Sequence, residues 1–512
     1  MLVLASCASL PPHSADKPKT TGLTADATSR LGQIFAPLTE QHPDQSGFQL
    51  LHKGMAAIIA RLGLIGAADV SIDVQYYIWH EDVTGAALTQ ALLDAADRGV
   101  RVRALLDDLD IKRDSTVAAL DSHPNIDVRL FNPFVHRATR GVDFLTATSR
   151  VNRRMHNKSL TVDGMATIVG GRNIGNEYFE AVAGANFADL DVLGIGPVVK
   201  DVARQFDTYW NSSVVFSLTE LGFQSADAEG DLENLRAKLK AVMSEVMNSP
   251  YAEALREVRY AKYRSSGDPV WAKAEVIYDA PEKILAKKPS QDTHMVFALG
   301  ALMNSAEKEL NIISPYFVPG EKFVEQVAKR VSDGIRVRIL TNSFAATDVS
   351  MVHAGYAKYR FDLLKAGAEL YEYKPTATAS KSHTQAKLGG SSRASLHAKT
   401  FGVDDKTLFV GSFNLDPRSA RLNTEMGIAI HSAEYAKQIS NAFAQQVATE
   451  AYRLELVQLP ENPQDPGFTR EVIVWSTVEN GEEIRFDTEP HMGFWKRFWV
   501  GFLRMLPIEG QL

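Results

Sequence analysis

The sequence predicts an α/β protein made of two copies of one βα unit, each with a mixed sheet. Three observations carry this. The pattern His-x-Lys-x4-Asp occurs twice, as Met155-His-Asn-Lys-Ser-Leu-Thr-Val-Asp163 and Leu396-His-Ala-Lys-Thr-Phe-Gly-Val-Asp404. The flanks repeat as well: Ile168-Val-Gly-Gly-Arg-Asn173 follows the first and Phe409-Val-Gly-Ser-Phe-Asn414 the second, with each asparagine at the same step from its histidine. Upstream of both lie strand-like and helix-like segments in the same order, and self-similarity of this kind marks a duplicated structural unit.

The elements of the repeat follow in order. Ala67-Ala-Asp-Val-Ser-Ile-Asp-Val-Gln-Tyr-Tyr-Ile78 reads as a helix end and a strand, and Ser305-Ala-Glu-Lys-Glu-Leu-Asn-Ile-Ile-Ser-Pro-Tyr-Phe317 reads the same way. A glycine turn (Gly85, Gly320) and an amphipathic helix come next, then the basic strands Gly99-Val-Arg-Val-Arg-Ala-Leu-Leu106 and Gly334-Ile-Arg-Val-Arg-Ile-Leu340. Strands alternating with helices of 10–15 residues indicate βα units and a sheet covered on both faces. Alternation puts the arginines of the basic strands on one face, where solvated edge charges are the expectation. The first half spans 48–215 and the second 270–455. Residues 216–269 are polar with helical periodicity and read as a helical insertion; nothing in their sequence says whether it caps a site. Residues 456–512 form an appendage in which Glu471-Val-Ile-Val-Trp475 and Glu483-Ile-Arg-Phe486 can pair as a hairpin.

Composition bounds the function. The 512 residues are 45% hydrophobic and 23% charged, which is ordinary for a globular protein. A net charge of −7 argues against a general nucleic-acid binder. Cys7 is the sole cysteine, so no internal disulfide exists. No apolar run reaches the roughly 18 residues of a membrane span. Leu4-Ala5-Ser6-Cys7 looks like a lipoprotein processing site followed by a Ser/Pro/Lys-rich tether to about Thr21, within a tether region 1–47. The segment before Cys7 lacks a charged and a full apolar region, so an ordinary N-terminus is the alternative. At the other end, Phe494, Phe498 and Phe502 with Trp495, Trp499 and Leu503 make an apolar stripe, with Lys496, Arg497 and Arg504 largely off it. Such a helix suits a membrane interface or a dock on the protein core, and both readings stand.

In a strand, residues i and i+2 face the same way, so His156 with Lys158, and His397 with Lys399, project in pairs. Two imidazoles and two fixed cations suit covalent catalysis on a phosphodiester. One histidine attacks, the other protonates the leaving oxygen, and the lysines hold phosphoryl oxygens. No metal-ligand spacing and no phosphate-cradling Gly-x4-Gly-Lys loop is present, so neither metal nor other cofactor is expected.

The paired motifs, their asparagines and the βα repeat resemble the phospholipase D superfamily over residues 48–455. The flanks Gln75-Tyr-Tyr-Ile-Trp79, Ala96-Asp-Arg-Gly-Val-Arg-Val-Arg103, Leu130-Phe-Asn-Pro-Phe134, Arg154-Met-His-Asn-Lys158 and Leu506-Pro-Ile-Glu509 resemble bacterial cardiolipin synthases. The resemblance implies two sandwich halves related by a pseudo-two-fold axis. It implies metal-independent phosphatidyl transfer, with His156 as nucleophile and His397 as acid and base, although sequence alone does not settle that order. Lys158, Lys399, Asn173 and Asn414 would bind phosphate. Asp163 and Asp404 complete the motifs and are more structural than catalytic. An acidic residue downstream of each motif would orient its histidine: Glu425 for the second, and Asp191, or else Asp189, for the first. Expected substrates are phospholipids: phosphatidylglycerol as acceptor, and phosphatidylglycerol or phosphatidylethanolamine as donor. A small accessory protein is a further expectation, as is a membrane-associated place in a bacterial envelope. Hydrolysis of phospholipids, or less readily of nucleic acid, is the alternative activity.

Overall fold

A computed structural model describes residues 10–13, 18–111, 113–181, 185–246, 251–253, 256, 268–375, 393–445, 447–462, 465–479 and 481–492. Cys7 and the aromatic stripe 494–506 lie outside the described residues. The chain divides into two compact units, and the division does not simply follow the sequence. The first unit is Met1–Ala181, Asp191–Met295 and Arg421–Gly427; the second is Val182–Leu190, Val296–Ala420 and Ile428–Leu512. Each unit thus holds one short segment from the far part of the chain.

In the first unit, Ser71–Tyr76, Arg101–Asp107 and Ile126–Phe131 run parallel. Ser159–Val162, which follows the first motif's His and Lys, joins antiparallel to Ser71–Tyr76. Ala166–Gly170, Asp191–Ile195, Ser46–Leu51 and Val270–Tyr278 continue the sheet in antiparallel steps. Parallel strands need crossovers, and the helices Gly54–Gly66, Val83–Asp97 and Asp114–Asp121 connect successive strands. Asp82 caps the second of these by accepting from the Gly85 N–H at 3.0 Å. Beneath the motif, Leu105, Phe131, Met155, Phe206, Tyr209 and Trp210 form one buried cluster. The residue before His156 is therefore locked into the core.

The second arginine of each basic strand corrects the expectation of solvated charges, while Arg336 is exposed as expected and Arg101 is half-buried. Arg103 is 1% exposed, paired with Asp73 at 2.7 Å and Asp207 at 2.7 Å, and lies over the rings of Phe206 and Trp210. Its strand has neighbours on both edges, and its arginine face is covered by the helix Pro197–Trp210 and by residues 18–25. These last residues, read as tether to about Thr21, are packed: the Thr20 carbonyl accepts from Arg103 at 3.0 Å and the Asp163 carbonyl accepts from the Ala25 N–H at 2.8 Å. Buried charge survives only when paired, and here it is. The strand Val215–Ser217, which spans the expected boundary between the first half and the insertion, pairs with Ile126–Phe131, and the insertion contributes the helix Ala228–Val246.

The second unit repeats the core. Glu309–Ile313, Arg336–Asn342 and Glu369–Tyr373 run parallel, with Lys399–Val403 antiparallel to the first of them and then Thr407–Gly411. Arg338 is 2% exposed and paired with Glu309 at 2.9 Å. The expected boundary at 455 falls inside the strand Ala451–Asn462. That strand pairs with Glu369–Tyr373 and carries Asp465–Glu479 and Glu482–Phe486 beyond it. The hairpin is real, but it extends this sheet. Trp475 donates to Glu372 at 3.0 Å, and Arg360 joins Glu372 and Glu489 at 2.8 Å each.

Candidate active site

The first motif reaches the sheet through a short extended segment ahead of Ser159–Val162. Two anchors fix it. The Met155 N–H donates to Asp107 at 2.7 Å, and Arg154 donates to the other oxygen of Asp107 at 3.2 Å. The His156 N–H donates to the Thr424 carbonyl at 2.8 Å. His156 is 6% exposed, and its Nδ1 lies 2.8 Å from Glu425 Oε2. A carboxylate on Nδ1 sets the ring's tautomer and orientation. Lys158 Nζ donates to the His156 carbonyl at 2.7 Å and lies 5.5 Å from the centre of the Tyr77 ring. That ring meets His156 edge-on at 5.0 Å. Lys158 is 1% exposed, a charge held ready in a low-dielectric site.

Glu425 is itself positioned. Its N–H donates to Asp279 at 2.8 Å, and its carbonyl accepts from the Asp279 N–H at 3.0 Å. Asp279 also accepts from Lys283 at 2.8 Å and from the Met295 N–H at 2.8 Å, while the Tyr209 hydroxyl donates to its carbonyl at 2.6 Å. Burial pushes the Asp279 carboxyl up to about 7 against the pull of Lys283.

The second motif has the same plan with different parts. Asn342, at the end of Arg336–Asn342, clamps Leu396 by accepting from its N–H and donating to its carbonyl, each at 2.9 Å. The Ala188 carbonyl accepts from the His397 N–H at 2.8 Å, and Arg393–Leu396 pairs in parallel with Ala185–Ala188. His397 is 5% exposed, with Nδ1 at 2.5 Å from Asp189 Oδ2. Lys399 Nζ lies 3.0 Å from the same Nδ1 and donates to the His397 carbonyl at 2.6 Å. Phe187 packs against the ring at 5.1 Å.

The carboxylate assignment is corrected. His156 takes Glu425, which was expected on His397, and His397 takes Asp189, which was weighed only for His156. Asp191 meets Arg61 at 2.8 Å and Arg172 at 3.3 Å. Sequence proximity misleads because segment 421–427 belongs to the unit of His156, and 182–190 to that of His397. Asp191 begins the next strand, where its register opposite Gly170 and Leu51 turns it to the two arginines.

Asn173 donates to the Tyr178 hydroxyl at 2.9 Å, while its Oδ1 is buried without a hydrogen-bond partner among the described residues. Asn414 likewise has a buried, unbonded Oδ1. Buried polar atoms of this kind are costly unless a ligand or water meets them. Asp163 and Asp404 stand at the hairpin turns with φ of 53° and 54°. Each accepts three backbone N–H groups, from Asp69, Val70 and Ser71 and from Glu307, Lys308 and Glu309 respectively, at 2.7 to 2.9 Å.

Sequence reasoning missed Asp107, Asn342, Asp279 and Lys283. The first two had a signal: they stand at the same step from Gly99 and Gly334 and end equivalent strands. Asp279 and Lys283 had none, being a hundred or more residues from both His156 and Glu425. Among the described residues, His80, Asp82 and Glu177 bring ligand atoms within 4.8 Å of one another. Asp82 there already caps a helix and accepts from the Asn176 N–H at 2.7 Å. Glu177 chiefly, against partial burial, raises the pKa of His80. The group is accounted for by these contacts.

Residues 62–210 and 299–447 match the family model described as cardiolipin synthase, phospholipase D-like domain. The chain is similar to cardiolipin synthase C of Escherichia coli (strain K12), 43% identical over 94% of this chain and 99% of that protein. It is 26% identical to cardiolipin synthase B of the same strain over 81% of this chain and 83% of that one. The crystal structure of a phosphatidylserine synthase from Haemophilus influenzae superposes with a TM-score of 0.53 at 14% identity, covering 80% of this chain and 90% of that one, which is a likeness of fold.

Proposed function

We propose that this chain, which belongs to the cardiolipin synthase family with phospholipase D-like domains, is a phosphatidyltransferase that makes cardiolipin from two phospholipids. Phosphatidylglycerol is the acceptor, and phosphatidylglycerol or phosphatidylethanolamine the donor. The observation that carries the reading is the pair of buried His–carboxylate couples, each with a lysine two residues from its histidine.

In this reading His156 Nε2 attacks the donor phosphorus. A P–N bond forms, the P–O bond to the head group breaks, and the departing oxygen takes a proton from His397. The acceptor hydroxyl then gives its proton to His397 and attacks phosphorus, and the P–N bond breaks to release His156. Glu425 and Asp189 hold the rings and stabilise their charged forms. Lys158, Lys399, Asn173 and Asn414 hold phosphoryl oxygens, which would satisfy the two orphaned asparagine oxygens only through a protonated oxygen or a bridging water.

The substrate lies in a membrane, so the enzyme works at a membrane surface of a bacterial envelope. No helix among the described residues is long and apolar enough to cross a bilayer. Lipidation of Cys7, the aromatic and basic stretch 494–506 and a small accessory protein are means of holding it there. Purified protein incubated with labelled phosphatidylglycerol, with and without phosphatidylethanolamine, is expected to yield cardiolipin. Phosphatidic acid as sole product would replace transfer by hydrolysis.

A further inference from the structure

The first unit contains a cavity that the transfer chemistry leaves unused. Its cavity volume is about 90 Å³, room for several waters. Its walls are the ends of the strands Ser71–Tyr76 and Arg101–Asp107 and the helices Val83–Asp97 and Asp114–Asp121; its roof is the inserted helix Ala228–Val246. Most of the lining is apolar, with Leu92, Leu106, Val117 and Leu120 below and Leu235 and Leu239 above, while His80, Asp107, Asp110 and Arg113 also line it. Those last two are four residues apart and share one helix face. Glu81 closes the polar rim, accepting from Lys238 at 3.0 Å on the roof and from Thr116 at 2.9 Å on the wall.

Two residues join this cavity to the reacting histidine. Tyr77 lines it and meets the His156 ring at 5.0 Å. Asp107 lines it and anchors Met155. The apolar part of these walls offers water few partners, and it rejects a charged head group. A hydrocarbon chain suits it on both counts, and a phospholipid whose phosphorus meets His156 brings one within reach.

We propose that this cavity takes one fatty acyl chain of the phospholipid engaged by His156, and that the inserted helix is its roof. The inference rests on the phosphatidyl-transfer reading. It assigns the insertion a role in substrate selection by chain length: each methylene buried strengthens binding about fourfold.

The test fills the cavity from the roof with Leu239→Trp and uses Lys240→Trp, on the exposed side of the same helix, as control. Binding of cis-parinaric acid is read by its fluorescence, and kcat/KM is measured for dioleoyl and dihexanoyl phosphatidylglycerol. Wild type and Lys240→Trp are expected to bind the probe saturably and to prefer the long chain. Leu239→Trp is expected to weaken probe binding at least tenfold and to shrink the long-to-short ratio at least tenfold. Should Leu239→Trp lose its cooperative thermal melt, Leu235→Phe takes its place under the same criteria. Absence of saturable binding by wild type, or binding by the filled variant equal to wild type, overturns the proposal. Probe binding as stated, with no cardiolipin formed from any donor, would sink the transferase reading and leave the pocket standing.

Discussion

The two motif sites use the same side chains on the same scaffold, yet their surroundings differ. His156 faces Glu425, backed by Asp279 and Lys283 in a fully buried couple. His397 faces Asp189, and Lys399 reaches the same ring nitrogen at 3.0 Å. The chemistry proposed for them also differs, since one imidazole must bond to phosphorus while the other cycles a proton. Identical motifs can be given different tasks by residues outside the motif. Here the difference comes from the segment that supplies the carboxylate and from what stands behind it.

The sharpest way to break the comparison is to remove each imidazole in turn. His156→Ala and His397→Ala are each expected to lower cardiolipin synthesis by about 10³-fold or more. With a donor bearing a p-nitrophenolate leaving group, which needs no general acid, His397→Ala should still form an acid-labile phosphoenzyme. His156→Ala should not. The reverse pattern would exchange the two roles.

The exchange of carboxylates comes next. Glu425→Gln and Asp189→Asn are each expected to cut kcat by about 10²–10⁴-fold by releasing the ring tautomer. Asp191→Asn should instead act on stability, costing about 3–5 kcal/mol, because Arg61 and Arg172 stay buried without their counter-charge. A denaturant midpoint for Asp191→Asn equal to wild type would refute that division.

Asp279 sharpens the contrast through pH. Its folded pKa, raised by burial to about 7, means that the native state holds its proton better than the unfolded chain. Its contribution to stability is therefore full below the ordinary carboxyl value near 4 and is lost as pH rises through about 7, at no more than about 1.4 kcal/mol per pH unit. Asp279→Asn is expected to flatten the fall of unfolding free energy over that window. An unchanged pH slope in the variant would show that Asp279 does not supply it.

The turn aspartates and the roof pairs come last. Asp163→Ala or Asp404→Ala leaves three N–H groups without their acceptor and is expected to cost about 1–3 kcal/mol, read as a lower Tm, with activity per folded molecule kept. Lys238→Ala removes a partly exposed pair with Glu81 and should shift stability by less than about 1 kcal/mol.

Much of this was legible in the chain. The repeated strands and the alternation around Gly99 and Gly334 are local patterns, and the sheets follow them, whereas Gly85 and Gly320, expected in turns, belong to the first turns of the helices Val83–Asp97 and Gly320–Ser332. The strand ends Asp107 and Asn342 were readable from the same repeat. The burial of Arg103 and Arg338 was not, because alternation says which residues share a face but not what covers it. The packing of residues 18–25 and the extension of the second sheet past 455 escaped for the same reason.

The sequence by itself determined the duplicated unit, the His–Lys pairs, the asparagines and the family. Each of these is written in spacing, and strand geometry converts spacing into direction. Only the tertiary structure decided which carboxylate serves which histidine, what supports that carboxylate, and that an inserted helix roofs an apolar cavity beside His156. These are contacts between residues distant along the chain, made by packing and register, and no local pattern encodes them.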